Sequence, residues 1–526
     1  MHQKKKLVLL LDGTWSSRTG ALIQWIKPRA SDDKLTNVAL LGQAIKTVDA
    51  KGTPQISFYQ DGVGTSDGLL ANIIAGATGV GLADNLIEAY SFLVDNYNDG
   101  DEIFLVGFSR GAYTARALSG FIVWAGIMEK AQLAHIQAIY KAYRQRSPSN
   151  PEQTDMAAQV FWRYTGKWPS EQSSRVENLV MQQHAAAAKT TPAQGAAWKS
   201  KFSSLFGGKG RGQDSSHVSG SSRASENLGT TVEVEIEGDV ERTERGPRVE
   251  PPKIRFIGVM DTIGALGVPG SYGSRWWRQF YEFFDTGLST NVQTAWQALA
   301  LEEERSDFRP TLWYHFEPRS GQQLTECYYQ GSHADVGGSL TPHGLSDIVL
   351  ASLCAQLTDH ADGPLLALDL EHVKKTQDRS AAWAKQAPQK SRWFFEFRKT
   401  RQVCDMLKAD GTGENGYVGQ SHSKEPQWAD EIPYGPNREM LHHSVVMGGR
   451  IDPAKAPQFQ ILRDRDPERL RKMWASAADE SSLLPTERYL RWHNADVKQP
   501  IPKVVVTSET HEAGAQEEKV ATASKP

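Results

Sequence analysis

Glu102-Ile103-Phe104-Leu105-Val106-Gly107-Phe108-Ser109-Arg110-Gly111-Ala112-Tyr113 is the stretch whose reading decides the fold. Its first part is a short apolar run of the kind that forms a buried strand, and Arg110 to Met128 carries an apolar helical face. Gly107-Phe108-Ser109-Arg110-Gly111 stands between them, and a Gly-x-Ser-x-Gly turn from strand to helix is the setting of a nucleophile elbow. So sharp a turn presses the residues two before and two after the serine against neighbouring backbone. Glycine at both places removes the Cβ that would clash. The Ser109 hydroxyl is then lifted out at the carboxyl edge of a sheet, with the Arg110 N–H at the start of the following helix placed to stabilise an oxyanion. The plainer alternative is a glycine-rich turn with an idle serine.

Working outward, Lys6 to Leu11 is a continuous apolar run ending in Asp12-Gly13-Thr14, as a buried strand feeding a tight loop reads. Gln55 to Tyr59 is a second strand, ending at Asp61-Gly62, and residues 82–97 show apolar positions at helical spacing. Lys253 to Met260 is a further strand ending in Asp261. Cys327-Tyr328-Tyr329 leads into a glycine-bounded loop, and a helix follows Leu345. This alternation predicts an α/β fold, a mostly parallel sheet with helices on both faces. Residues 1–146 and 253–360 read as its two halves. Between them, 147–252 reads as a largely disordered or lid-like insertion, because its Ser/Gly-rich and charged stretches lack the apolar residues that offset ordering entropy. Residues 361–500 read as an extension packing on the core and 501–526 as a disordered tail.

Composition narrows the function. The 526 residues hold 59 Lys plus Arg against 62 Asp plus Glu, a net charge of −3, which excludes an electrostatic nucleic-acid binder. Cys327, Cys354 and Cys404 are too few for a disulfide framework and form no CxxC pair, so a reducing, cytoplasmic setting without structural zinc is expected. Lys4-Lys5-Lys6 precedes only five apolar residues, Leu7 to Leu11, too short for a secretory core or a membrane span. Gly76-Ala77-Thr78-Gly79-Val80-Gly81 has the look of a dinucleotide turn, but the next strand ends in the elbow glycine rather than an acidic residue. No cofactor and no metal are expected.

A nucleophilic serine needs a base, and the base an orienting acid, in the chain order Ser, Asp or Glu, His around such an elbow. Asp261 ends an apolar run and would reach the same sheet edge as Ser109; Asp335 is its rival. His333 is the best placed histidine, in a loop of small residues after a strand, with His315 and His343 as alternatives. Asp12-Gly13-Thr14-Trp15 is the candidate for the second oxyanion donor, with Gly13 allowing close backbone approach and Asp12 tying the loop down, unless this is a plain Asx-turn.

Several strings together resemble one family. They are Leu11-Asp12-Gly13-Thr14-Trp15, Thr36-Asn37-Val38, Tyr59-Gln60-Asp61-Gly62-Val63-Gly64-Thr65, the elbow through Arg116, Gly258-Val259-Met260-Asp261-Thr262-Ile263-Gly264, Glu303-Glu304-Arg305 with Phe308-Arg309-Pro310, and Gly331-Ser332-His333-Ala334-Asp335-Val336-Gly337-Gly338. The chain is similar to the large, mostly uncharacterised α/β-hydrolase family that includes the type VI secretion phospholipase effectors. The resemblance implies an α/β-hydrolase-like fold, a triad on Ser109, Asp261 and His333, and hydrolysis of carboxylic esters, with phospholipids the substrates of the best-known members. Met260 departs from the tryptophan usual before the family's aspartate, and the insertion occupies the place of a lid.

A lipid or ester substrate and transient contact with a membrane surface are therefore expected. A thioesterase or small-metabolite esterase is the alternative, and a non-catalytic interaction protein that keeps the fold is a further one. The 15 tryptophans give the substrate a provisional address: Trp15 in the oxyanion loop, Trp276 and Trp277 with Phe280, Tyr281, Phe283 and Phe284 after the Asp261 loop, and Trp296 and Trp313 before His333. Plain core packing is the competing explanation of that aromatic cluster.

Overall fold

The computed structural model describes residues 3–13, 35–62, 80–146, 151–170, 246–263, 288–305, 308, 310–313, 321–389, 400–404 and 439–493. Among the described residues seven strands make one parallel sheet: β1 (Lys6–Leu11), β2 (Gln55–Gln60), β3 (Glu102–Phe108), β4 (Ile254–Met260), β5 (Val292–Ala300), β6 (Gln323–Tyr329) and β7 (Glu439–Leu441). Their spatial order is β2-β1-β3-β4-β5-β6-β7. The first half contributes helices α1 (Asn37–Ala44), α2 (Val80–Asn96), α3 (Ser109–Ala125), α4 (Ile136–Gln145) and α5 (Pro151–Thr165). After β6 come α6 (His333–Gly337), α7 (Gly344–Thr358), α8 (Leu370–Thr376), α9 (His443–Gly448), α10 (Gln460–Arg465), α11 (Pro467–Ala478) and α12 (Pro485–Leu490).

β1 shows why the sheet needs two covers. Leu7, Leu9 and Leu11 face one helix layer and Val8 and Leu10 the other, all buried. A strand apolar on both faces is stable only between two layers. On the first face α2, α3, α4 and α5 pack around Phe121, whose ring meets Tyr90, Tyr143 and Tyr140 edge-on at centroid distances of 4.7, 5.1 and 5.5 Å. On the second, α1 and α7 supply Val38, Leu41, Val349 and Leu353, backed by Leu490 of α12 and by Trp492. A third cluster joins Leu299 and Tyr328 to Val403, Phe459, Leu462 and Leu470, which fixes residues 400–404 and the C-terminal helices to the β5–β6 flank.

From β1 the chain steps outward to β2 and then crosses back to β3, so the strand order reverses between β1 and β3. A crevice opens at the carboxyl ends of strands at such a switch point. Because every strand is parallel, Asp12 after β1, Ser109 after β3, Asp261 after β4 and His333 after β6 all emerge on this one edge.

The α/β architecture agrees with the pattern of apolar runs, but two strands were not legible. β5 carries Gln293, Thr294 and Gln297 among its apolar residues, and β7 is only Glu-Met-Leu. The 147–252 segment opens with α5, where Ala157 and Phe161, four apart on one face, pack on the core. Its two ends meet: the Trp168 N–H donates to the Pro247 carbonyl and the Val249 N–H to the Trp168 carbonyl, both at 2.9 Å. The stretch 171–245 and the tail 501–526, expected to be disordered, lie outside the described residues. Among the described residues no helix is long and apolar enough to cross a membrane.

Candidate active site

Ser109 sits where β3 becomes α3, with φ +55°, a left-handed conformation that a side-chain-bearing residue rarely adopts. The glycines around it make the turn possible. A Cβ on Gly107 would lie 2.5 Å from the Gly111 carbonyl oxygen and 2.7 Å from Ala112 Cα, and one on Gly111 would run into the Leu11 carbonyl. The strain of such a conformation, about 1–3 kcal/mol, persists only where surrounding structure dictates it.

Ser109 Oγ lies 3.0 Å from His333 Nε2, and His333 Nδ1 lies 2.6 Å from Asp261 Oδ2. All three residues are buried. Asp261 also has a positive φ, +41°, and accepts from the Ala300 N–H at 3.0 Å and from Arg401 through both Nη1 (2.6 Å to Oδ1) and Nη2 (3.0 Å to Oδ2). Burial alone pushes its pKa up, but the Arg401 charge and the His333 contact outweigh it and hold the carboxyl well below the usual range. An ionised carboxylate can only accept, so a neutral His333 carries its proton on Nδ1 and leaves the Nε2 lone pair to Ser109.

The imidazole is walled in by the rings of Phe108 (4.7 Å between centroids) and Phe308 (5.1 Å, edge-on). Its backbone N–H donates to Glu303 Oε2 at 3.2 Å, and Glu303 is held in turn by Arg305 Nε at 2.8 Å and Nη2 at 2.9 Å. Arg305 closes the group by stacking its guanidinium 3.3 Å over the Phe308 ring. Glu303, Arg305 and Phe308, which had no role in the sequence beyond resemblance, thus form the wall behind His333.

Asp12 is buried at the end of β1 and accepts from Thr36 Oγ1 and Tyr59 Oη, each at 2.5 Å, and from the Gly13 N–H at 2.6 Å. Burial raises its pKa to about 6 despite these donors. Gly13 lies against Ser109, since a Cβ on it would sit 3.2 Å from Ser109 Cβ. Its amide, expected to be the second oxyanion donor, is instead taken by the Asp12 carboxylate next to it. A buried carboxylate needs every donor in reach, and Asp12 takes all three. The Arg110 amide lies in the first turn of α3, at the positive end of the helix dipole. Thr36 also caps α1, and Asn37 Nδ2 donates to the carbonyls of Val336 (2.9 Å) and Ser346 (2.8 Å), binding α1 to the segment that carries His333.

The rivals fall elsewhere. Asp335 accepts from Ser332 and from the Gln389 N–H, so it caps α6 and fixes its entry. His343 pairs with Asp347 at 3.0 Å inside the α7 turn. Trp296 is core on β5, and Trp313 is buried beneath the Arg116 guanidinium, 4.7 Å from its ring centroid. His315, Trp15, Trp276, Trp277 and the aromatic cluster through Phe284 lie outside the described residues, as do Gly76 to Gly79. Among the described residues no three His, Cys, Asp or Glu side chains are grouped to hold a metal ion. Arg401 was missed altogether, and nothing in its local sequence could have flagged it.

The chain was compared with known proteins. The family model described as the T6SS phospholipase effector Tle1-like catalytic domain matches residues 5–356. Among curated proteins, the chain is similar to the uncharacterized protein YEL023C of Saccharomyces cerevisiae, at 25% identity over 174 residues, covering 30% of this chain and 24% of that one. It is also similar to two solved structures. One is the Tle1 effector bound to the VgrG spike from the Type 6 secretion system (15% identity, 65% of this chain and 52% of that one, TM-score 0.26). The other is an uncharacterized protein from Pseudomonas aeruginosa (13% identity, 66% and 44%, TM-score 0.26). The chain therefore spans about a quarter of the curated relative, 24%, and about half of each solved chain, 52% and 44%. The family match runs from β1 into α7 and takes in the elbow, Asp261 and His333, so this chain belongs to the Tle1-like phospholipase effector catalytic-domain family.

Proposed function

We propose that the protein is a serine hydrolase that cleaves carboxylic esters of lipids, with Ser109 as nucleophile, His333 as base and Asp261 as the acid that orients the base. The observation that carries this reading is the unbroken chain Ser109 Oγ, His333 Nε2, His333 Nδ1, Asp261 Oδ2, at 3.0 and 2.6 Å, on a strained elbow at a switch point. Ser109 Oγ attacks the acyl carbon as its proton passes to His333 Nε2. The oxyanion is met by the first turn of α3, including the Arg110 amide, where one donor is worth about 3 kcal/mol of barrier. His333 then returns the proton to the leaving alcohol, and water releases the acyl group by the same steps in reverse order.

Membership of a phospholipase family favours lipid acyl esters, and with them a transient contact with a membrane surface. A cytoplasmic setting belongs to the same proposal, supported by three thiols that are buried and unbridged.

The test is fluorophosphonate labelling and a substrate panel on wild type beside Ser109→Ala. Wild type should label and turn over, and Ser109→Ala should lose about a millionfold in kcat. Labelling of folded Ser109→Ala at the wild-type rate sinks the nucleophile assignment. Phospholipid vesicles compared with short p-nitrophenyl esters and acyl thioesters decide the class. Higher rates on vesicles support the lipid reading, and preference for soluble esters or thioesters replaces it.

A further inference from the structure

We infer that Arg401 is a positioning residue of the Ser109–His333–Asp261 site, clamping Asp261 from a segment beyond the matched catalytic region, so that the C-terminal part of the chain completes the triad. The inference rests on the hydrolase reading above. Arg401 lies outside residues 5–356 and yet is buried against the acid at the centre of that region.

Three features point this way. The guanidinium spends all its Nη hydrogens locally: Nη1 donates to Asp261 Oδ1 (2.6 Å) and the Ala300 carbonyl (2.8 Å), Nη2 to Asp261 Oδ2 (3.0 Å) and the Phe308 carbonyl. A planar fork facing a planar carboxylate fixes the angle at which Oδ2 meets the imidazole, which a point charge does not. The two carbonyls tie the end of β5 and the loop bearing Phe308, whose ring flanks His333, to the same group. Arg401 is itself anchored from the C-terminal side. The Val403 N–H donates to the Gln458 carbonyl at 2.9 Å and Gln402 Nε2 to the Pro457 carbonyl at 2.8 Å, while Val403 and Cys404 are sealed among Phe459 and Leu462.

The cation also keeps the acid charged. Burial favours the protonated carboxyl, and a protonated Asp261 no longer accepts from His333 Nδ1 as a carboxylate does. Sharing Asp261 with a guanidinium keeps the acid ionised further into the acid range. A purely structural ion pair would affect folding and leave kcat and its pH profile alone.

The experiment uses the full chain: wild type, Ser109→Ala, Arg401→Ala and Arg401→Lys, with kcat and KM on a p-nitrophenyl ester from about pH 5 to 9 and thermal unfolding alongside. Arg401→Ala should lose on the order of tenfold to a hundredfold in kcat with KM little changed. Its acid limb should move up by about one pH unit, and millimolar guanidine should restore part of the rate. Arg401→Lys, which keeps the charge and loses the fork, should fall between. A folded Arg401→Ala with wild-type kcat and pH limb overturns the inference. If Arg401→Ala does not fold, Arg401→Lys decides: wild-type kcat and pH limb overturn the inference and a lowered kcat upholds it. A wild type inert to esters and to fluorophosphonate overturns the hydrolase reading and this inference together, whereas an active wild type with indifferent Arg401 variants overturns this inference alone.

Discussion

Two carboxylates buried in the same sheet behave in opposite ways. Asp261, at the end of β4, faces a guanidinium and an imidazole and is held ionised well below the usual range. Glu326, in the middle of β6, accepts the Trp313 N–H at 3.1 Å and stands beside Glu439, its register partner on β7. Burial pushes Glu326 up, the Glu439 charge adds to it, and the carboxyl reaches about 8 in spite of Arg116 nearby. Both groups are cut off from water, so burial cannot explain the difference; the sign of the nearest charge does. At the crevice edge the charged form is needed and a cation is built in. In the seam between β6 and β7 no such demand exists, and Glu326 stays protonated at neutral pH.

Within this comparison the largest effect should come from removing the charge that the site is built around. Asp261→Asn turns an amide toward His333 Nδ1 and favours the wrong tautomer, so kcat should fall by about 10⁴. It also leaves Arg401 buried without its counter-charge, a loss of roughly 3–5 kcal/mol in stability. Adding Arg401→Gln to Asp261→Asn should recover much of the stability and none of the activity. Chemical denaturation and single-turnover rates on the two proteins check this. Activity restored by the double change would show that the pair serves folding only.

The contrast also separates what was legible in the sequence from what was not. β1, β3 and β4 are central parallel strands, so both faces must be apolar and the runs announce themselves. The elbow is written in five consecutive residues, because its constraints are steric and local. Asp261 and His333 were candidates because strand ends deliver them to one edge, and the family resemblance put them ahead of Asp335, His315 and His343. Arg401 is different: it reaches an aspartate 140 positions away, from a stretch with no periodic signal, and only the folded C-terminal cluster brings it there. Gly13 is a mixed case: its proximity to Ser109 and an Asp12 carboxylate tying down the loop were both legible, but not that the N–H taken is the Gly13 amide itself. The charge state of Glu326 depends on a cross-strand neighbour contributed 113 residues later, as 439 − 326, and no local rule finds it.

Glu326 gives the second prediction. Its folded pKa of about 8 lies above its unfolded value, so its contribution is fully present below the unfolded pKa and is lost as pH rises through the folded one. Between about pH 5 and 8 that loss amounts to about 3 kcal/mol. Glu326→Gln mimics the neutral acid, so it should match wild type near pH 5, exceed it by that margin near pH 8, and leave kcat unchanged. Asp261 works with the opposite sign: its contribution is present above the unfolded pKa and disappears only as pH falls toward the folded one. Denaturant midpoints across pH for wild type and variant measure the difference. Parallel curves would mean that Glu326 is ionised in the folded protein.

The smallest effect sharpens the comparison, because Asp12 stands between the two cases. It lies on the crevice edge, as Asp261 does, but its partners are the Thr36 and Tyr59 hydroxyls and the Gly13 amide, all neutral. Hydrogen bonds without a cation offset burial only in part, which is why the pKa is raised to about 6, short of the value at Glu326 and on the other side of normal from Asp261. With the folded value above the unfolded one, the contribution fades as pH rises through about 6. Asp12→Asn should therefore flatten the stability curve between about pH 5 and 7 by about 1 kcal/mol. The remaining carbonyl oxygen can still take the Gly13 N–H, so the loop beside Ser109 should stay in place and kcat should change by less than about tenfold. A larger kcat loss with stability intact would instead mean that the ionised Asp12 carboxylate is needed to aim the Gly13 loop, and that the crevice edge uses two charged aspartates rather than one.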